Sequence, residues 1–371
     1  MAIAYSNFIF SEEGNWQTGK ALLCEQGKIV GWVNDKDIPT KYDTVDLRGA
    51  YLHPALIDLQ IYAGNGKVFL QNPNPETIAA VYQYCLSGGA AHFMITLPTV
   101  SEETMFKGMD AVNEYWKSGG KGLLGLHLEG PYIDPAKKGA HLEQYIQVPT
   151  PQKVKELLKR ANGAVKMMTI APQHASKEII ELLKEHQVLI SAGHSNTSYE
   201  IATEAFENGI PAATHLFNAM SPFESRSPGM VGAIFDHSKV CSSVVADGVH
   251  VSFDAIRISK KIMGQRLFLI TDAVDENPVG DYVYLRGKDR FVSATGVLSG
   301  SCLTMLQAVK NCVTHVGISA HEALKMGSEY PAKLVQRLDL AQLKPGAQAN
   351  FMIFDESFQL VSMILDGLPK E

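Results

Sequence analysis

Cysteine is scarce in this chain, and so is any long apolar run. Cys24, Cys85, Cys241, Cys302 and Cys312 are the five cysteines among 371 residues. Their number is odd and none are closely paired, which argues against a disulfide framework and predicts the reduced thiols of a cytoplasmic protein. No apolar stretch is long enough to span a bilayer, so no membrane partner is expected. The opening MAIAYSNFIFSEEGN lacks a basic region followed by an apolar core, and no signal peptide is expected. A strong charge of one sign is missing too. The formal net charge is -6, with no basic stripe for nucleic acid and no acidic tail. Any anionic substrate must therefore be met by local cations. No internal repeat and no low-complexity segment interrupts the chain.

What is present is ample for a large core, at 46% hydrophobic composition. Residues 1–50 carry short alternating segments, SNFIF, KALLCEQ, KIVGWV and DTVDLRG, joined by Gly and Asp turns. The end resembles the beginning, with GAQANFMIFD and QLVSMILDG. These predict a small β-sandwich domain built from residues 1–50 and 340–371, since chain ends commonly lie close together. Between them, residues 51–339 alternate strand and helix signals. Strands are predicted at Leu56–Ile61, His92–Leu97, Leu123–His127, Val165–Ile170, Val188–Ser191, Ala212–Leu216, Val240–Ala246 and Leu267–Thr271. Helices are predicted at Pro75–Ser87, Ser101–Lys117, Pro151–Arg160, Lys177–Glu185, Ser198–Glu207 and Asp254–Met263. Eight strands alternating with helices predict an α/β fold, a parallel (β/α)8 TIM-type barrel. Gly280–Thr295 breaks the alternation and reads as a hairpin after the eighth strand.

Four polar residues stand just past apolar runs. They are Glu129 in GLLGLHLEGPY, His194 in VLISAGHSN, His215 in AATHLFNAM and Asp272 in LFLITDAV. That is how the catalytic ends of barrel strands look. Any one histidine alone reads as a hydrogen-bonded loop residue. Three ligands at equivalent places read instead as a metal site, because Glu129, His194 and His215 offer carboxylate and imidazole donors and leave a position open for water. Asp272 taken alone is also a good helix N-cap, but after LFLI it suits proton transfer beside such a metal. The first strand reads LIDLQIY, with Gln60 and Tyr62 where two-metal barrel hydrolases place His-x-His. One divalent ion is therefore expected, with Gln60 a supporting polar residue. The donor set accepts zinc, iron, manganese or cobalt.

Taken together, HPALID, LHLEGPY, GHSN, THLFNAM, ADGVHV, LITDAV and NFMIFD make the chain resemble the N-acetylglucosamine-6-phosphate deacetylases of the amidohydrolase superfamily. The resemblance implies hydrolysis of an N-acetylated amino-sugar phosphate. It implies metal binding by Glu129, His194 and His215 and acid–base work by Asp272. It places Ala140 and His141 (KKGAHLEQ), Asn218 and Ala219, and Asp247 to His250 beside the substrate, with His141 or His250 stabilising the oxyanion. It adds Leu303, Thr304 and Met305 of GSCLTM as pocket residues. It also implies a homodimer in which Arg226 of FESRSPG reaches the phosphate in the neighbouring subunit. Lys137 and Lys138 read as ordinary loop charges. The chain departs from the family at HPALID, at Tyr62 and in the arginine loop. Two rivals stand beside this reading: a deacetylase of another N-acetylated compound, such as N-acetylgalactosamine 6-phosphate, and a non-catalytic sugar-phosphate-binding barrel.

Overall fold

The computed structural model describes residues 1–12 and 14–370. Eight strands form its central sheet. They are β1 (Leu56–Ile61), β2 (Ala90–Leu97), β3 (Leu123–Glu129), β4 (Val165–Ile170), β5 (Leu189–Ala192), β6 (Ala212–Ala213), β7 (Cys241–Val245) and β8 (Leu267–Ile270). They are laid side by side in sequence order, every neighbouring pair parallel. β1 and β8 meet through a parallel bridge between Ile61 and Ala273. The Asp272 N–H donates to Gln60 O at 3.0 Å, and the Tyr62 N–H donates to Ala273 O at 3.0 Å. At the same seam the buried Asp58 carboxylate accepts from Thr271 N (3.2 Å) and Thr271 Oγ1 (2.5 Å). This closed arrangement is the predicted (β/α)8 barrel.

Helices α1 (Pro75–Ser87), α2 (Glu102–Lys117), α3 (Pro151–Ala161), α4 (Lys177–Glu185), α5 (Tyr199–Glu207), α6 (Gly229–Asp236), α7 (Phe253–Met263) and α8 (Met305–Asn311) belong to the same part of the chain. Their starts follow capping chemistry. Asn74 Oδ1 accepts from Thr77 N at 2.9 Å ahead of Pro75, and Ser101 Oγ accepts from Thr104 N at 3.3 Å. Along α1 the apolar residues Ile78, Val81, Tyr82, Cys85 and Leu86 are buried. Each such side chain contributes roughly 1.5–3 kcal/mol on leaving water, so a charge at Val81 would break the packing. No helix among the described residues is long and apolar enough to cross a membrane.

Two further sheets are built from the ends of the chain. One orders residues 28–34, 20–25, 2–6 and 43–46; the other orders 368–369, 360–365, 351–354, 51–54, 9–12 and 15–17. Tyr5, Phe8, Leu22, Ile29, Leu52, Phe351 and Ile353 belong to one buried cluster that joins both ends. Tyr51–Pro54 pairs antiparallel with Phe351–Phe354, so the strand leading into the barrel belongs to this terminal sheet.

Beneath the catalytic end, the barrel interior carries a polar layer. His127 Nε2 lies 2.8 Å from Thr169 Oγ1, Thr169 Oγ1 2.7 Å from Thr214 Oγ1, and Ser191 Oγ 2.6 Å from Thr214 Oγ1. This network ties β4 to β3, β5 and the end of β6, the three strands that deliver Glu129, His194 and His215. β6 is shorter than its predicted span because the chain leaves extended backbone there, with His215 at φ 37° and Phe217 at φ 77°. The predicted hairpin after β8 is a three-stranded antiparallel sheet over 285–286, 290–292 and 298–301.

Candidate metal centre and active site

His194, His215 and Asp272 share an uncommon backbone. Their φ angles are 46°, 37° and 54°. For residues other than glycine this left-handed region costs on the order of 1 kcal/mol or more each, and such residues cluster where function demands a fixed side-chain direction. Here all three follow barrel strands and turn their side chains into one cavity. Its lining includes Glu129, His141, His194, His215, His250 and Asp272.

The buried Glu129 carboxylate is the hub. Its Oε1 lies 3.1 Å from His194 Nε2 and 2.9 Å from His215 Nε2. Its Oε2 lies 2.9 Å from His141 Nε2 and accepts from Tyr62 OH at 2.5 Å. Burial alone would push this carboxyl up, but the facing imidazoles of His194 and His141 hold it well below the usual carboxylate range. Burial depresses His194 against the pull of Glu129, which keeps its imidazole neutral. Burial also opposes charge on His215, yet the hydrogen bond and charge of Glu129 outweigh it and raise the imidazole above its ordinary value.

Backbone groups assign different tautomers to the histidines. His194 Nδ1 lies 2.9 Å from the carbonyl of Lys137, which can only accept. The proton is therefore on Nδ1, and Nε2 presents a lone pair toward Glu129 Oε1 and toward His215 Nε2 at 3.1 Å. His141 is the reverse. The Thr99 N–H donates to its Nδ1 at 3.1 Å, so Nε2 carries the proton and donates to Glu129 Oε2. His215 Nδ1 is buried without a hydrogen-bond partner among the described residues, which leave its proton unfixed.

This donor set fits a divalent cation. A bare imidazole nitrogen and a carboxylate oxygen at hydrogen-bond distance repel each other unless a proton or a cation lies between them. Glu129, His141 and His194 offer ligand atoms within 4.8 Å of one another and can hold a metal ion. His215 Nε2 lies 2.9 Å from Glu129 Oε1 and 3.1 Å from His194 Nε2. The tautomers separate the two histidines: His194 turns a lone pair to the shared space, whereas His141 turns an N–H to it.

The Asp272 carboxylate opens to the cavity with 13% of its side chain exposed. Burial raises its pKa above the ordinary value, opposed by His215 and His250. Gln60 Nε2 donates to Asp272 Oδ1 at 2.9 Å and lies 3.0 Å from Glu129 Oε1. His250 is held by Asp247, whose Oδ2 lies 2.6 Å from Nδ1, and its Nε2 is 3.7 Å from Asp272 Oδ2. Asp247 Oδ1 also accepts from the N–H groups of Val249 and His250, both at 2.8 Å. Burial works against the Asp247 charge, but these partners keep its pKa low.

Ala140, His141, Asn218, Ala219 and His250 all line the cavity. Asp247 supports His250 from behind. Leu303, Thr304 and Met305 are not brought to it. Ser301 Oγ donates to the Thr271 carbonyl at 2.5 Å. Leu303 and Met305 then enter the core, and Thr304 caps α8. The wall at this place is formed earlier, by Leu298, Ser299 and Gly300. Arg226 is exposed on the loop between Ser221 and Gly229 and makes no ion pair among the described residues. Among the described residues no lysine or arginine lines the cavity.

Tyr62, Tyr282 and Tyr284 also line it and were not singled out as pocket residues. Tyr282 OH donates to Thr99 O at 2.6 Å and accepts from Leu142 N at 3.2 Å, pinning the insert after β8 against the His141 loop. The only hint in the sequence is the aromatic alternation DYVYL, which a surface hairpin would share.

Known proteins resemble this chain over most of its length. The amidohydrolase family model matches residues 51–368. N-acetylglucosamine-6-phosphate deacetylase of Haemophilus influenzae is 33% identical, over 95% of this chain and 94% of its own. N-acetylgalactosamine-6-phosphate deacetylase of a Shewanella species is 31% identical, over 86% of this chain and 83% of its own. The crystal structure of N-acetylglucosamine-6-phosphate deacetylase from Pasteurella multocida superposes with a TM-score of 0.95 at 31% identity, covering 100% of both chains. A family match spanning the whole barrel, with relatives aligned nearly end to end, makes this chain a member of the amidohydrolase family.

Proposed function

We propose that this protein is a metal-dependent deacetylase that hydrolyses N-acetyl-D-glucosamine 6-phosphate to D-glucosamine 6-phosphate and acetate. The observation that carries the reading is the convergence of Glu129 Oε1, His194 Nε2 and His215 Nε2 beside Asp272, in a chain whose relatives carry this activity in their names. Glu129, His194 and His215 would hold one divalent ion. Zinc suits two imidazoles and a carboxylate, and iron, manganese and cobalt are accepted by the same donors. When bound, such an ion supplies Lewis acidity, lowering the pKa of water from about 15.7 toward roughly 7.

The chain's own groups supply the rest. Asp272, oriented by Gln60, takes a proton from the attacking water and delivers it to the amide nitrogen as the C–N bond breaks. His141 Nε2–H, which bonds Glu129 Oε2 before substrate binds, is then the donor for the oxyanion that develops on the acetyl carbonyl. Asp247 orients His250 at the opposite side of the Asp272 carboxylate. The phosphate needs a cation that the cavity lining lacks. The partner subunit's Arg226 in a homodimer supplies it, since a guanidinium offers both charge and a fork of donors.

The Shewanella relative gives a second reading, with the galactosamine epimer as substrate. Acetate release from both 6-phosphates, before and after metal removal, tests the two together. Turnover should be faster for the glucosamine compound and lost on chelation. Preference for the galactosamine compound would favour the second reading, and chelator-resistant activity would overturn the metal requirement.

A further inference from the structure

Tyr62 follows β1 and is buried among the site residues. Its hydroxyl meets two partners with opposite demands. Gln60 Nε2 lies 2.7 Å away and can only donate, so the phenol oxygen accepts from it. The phenol hydrogen is then free for Glu129 Oε2, at 2.5 Å. His141 Nε2–H donates to the same oxygen at 2.9 Å. Two donors therefore occupy Oε2, while Oε1 faces His194 and His215 with Gln60 Nε2 3.0 Å away. The Tyr62 backbone is anchored as well, its N–H bonding Ala273 O at 3.0 Å, next to Asp272. A phenol gripped at both ends cannot rotate away, and the carboxylate it holds cannot turn.

We propose that Tyr62 is a positioning residue of the metal centre: its hydroxyl, with His141, locks the rotation of the Glu129 carboxylate and strengthens the hold on the ion. This rests on Glu129 being a ligand, as argued above. Groups that hydrogen-bond a ligating carboxylate commonly change metal affinity about 10–100-fold when removed.

The test is zinc affinity, measured by competition with a chromophoric chelator on purified, metal-stripped protein. Tyr62→Phe keeps the ring and loses the hydroxyl, and should bind zinc about 10–100-fold more weakly than wild type. Tyr5→Phe is the control. It also loses a buried hydroxyl, bonded to Gly367 O at 2.9 Å, but is remote from the site, and should bind as wild type does. If Tyr62→Phe does not accumulate as folded protein, His141→Ala removes the other donor on Oε2 and carries the same expected loss. Wild-type affinity in either folded variant would overturn the positioning role and leave the metal reading intact. A wild-type protein that binds no zinc, iron, manganese or cobalt would overturn both.

Discussion

Asp272 Oδ2 lies 3.7 Å from His250 Nε2. The other carboxylate oxygen of Asp272 takes a hydrogen bond from Gln60. An aspartate held at one oxygen and open at the other can accept a proton without reorienting. Asp272→Asn removes the acceptor and keeps the shape. It should fold and retain metal, and lose on the order of 10³-fold in kcat, since both proton transfers pass through this group. Acetate release under saturating substrate measures it, and near-wild-type kcat would remove Asp272 from the mechanism.

His141 presents an N–H because the Thr99 amide occupies its other nitrogen. His141→Ala, assayed at saturating zinc, should lose on the order of 10²–10³-fold in kcat, the range for one oxyanion donor. A change confined to KM would instead make His141 a ground-state binding residue.

Arg226 is exposed, while the cavity has no cation of its own. Arg226→Ala should raise KM for the 6-phosphate substrate about 10–100-fold, the worth of a charged hydrogen bond. Turnover of the unphosphorylated sugar should be unchanged. Equal loss on both substrates would show that Arg226 acts on folding or assembly rather than on phosphate.

Asp58 makes the β1–β8 seam sensitive to pH. Burial pushes its carboxyl up to about 7, against the lowering pull of the Thr271 and Gln60 donors. The unfolded value is about 3.9. Between these values the unfolded chain binds fewer protons than the folded one. This group therefore stabilises the fold at low pH, and its contribution is lost as pH rises from about 4 to 7. The change amounts to on the order of 4 kcal/mol. Asp58→Asn does not titrate, so its stability relative to wild type should improve over that window and level off above it. Urea denaturation of the metal-free proteins at several pH values reads this directly. Parallel pH dependences in the two proteins would contradict it.

The sequence revealed most of what the backbone repeats. Apolar runs ending at Glu129, His194, His215 and Asp272 predicted four strand ends, and the helices predicted from Pro75, Ser101 and Pro151 begin where Asn74, Ser101 and Thr150 cap them. α6 was missed because GMVGAIFD is apolar all round and carries two glycines, so it has no amphipathic stripe to read. The pocket wall lies at Leu298–Gly300, on the last strand of the insert, rather than at Leu303–Met305, because Leu303 and Met305 pack into the core and Thr304 caps α8, which a sequence pattern does not distinguish. Tautomers were out of reach as well. They are set by Lys137 O and Thr99 N–H, backbone groups whose proximity to the rings depends on tertiary structure.

Metal stoichiometry of wild type, His194→Asn, His215→Asn and His141→Ala tests the central claim most directly. Wild type should bind one equivalent of zinc per chain. His194→Asn and His215→Asn should each lose it, and His141→Ala should still fill at saturating zinc. Two equivalents in wild type, or metal kept by His215→Asn and lost by His141→Ala, would contradict the account.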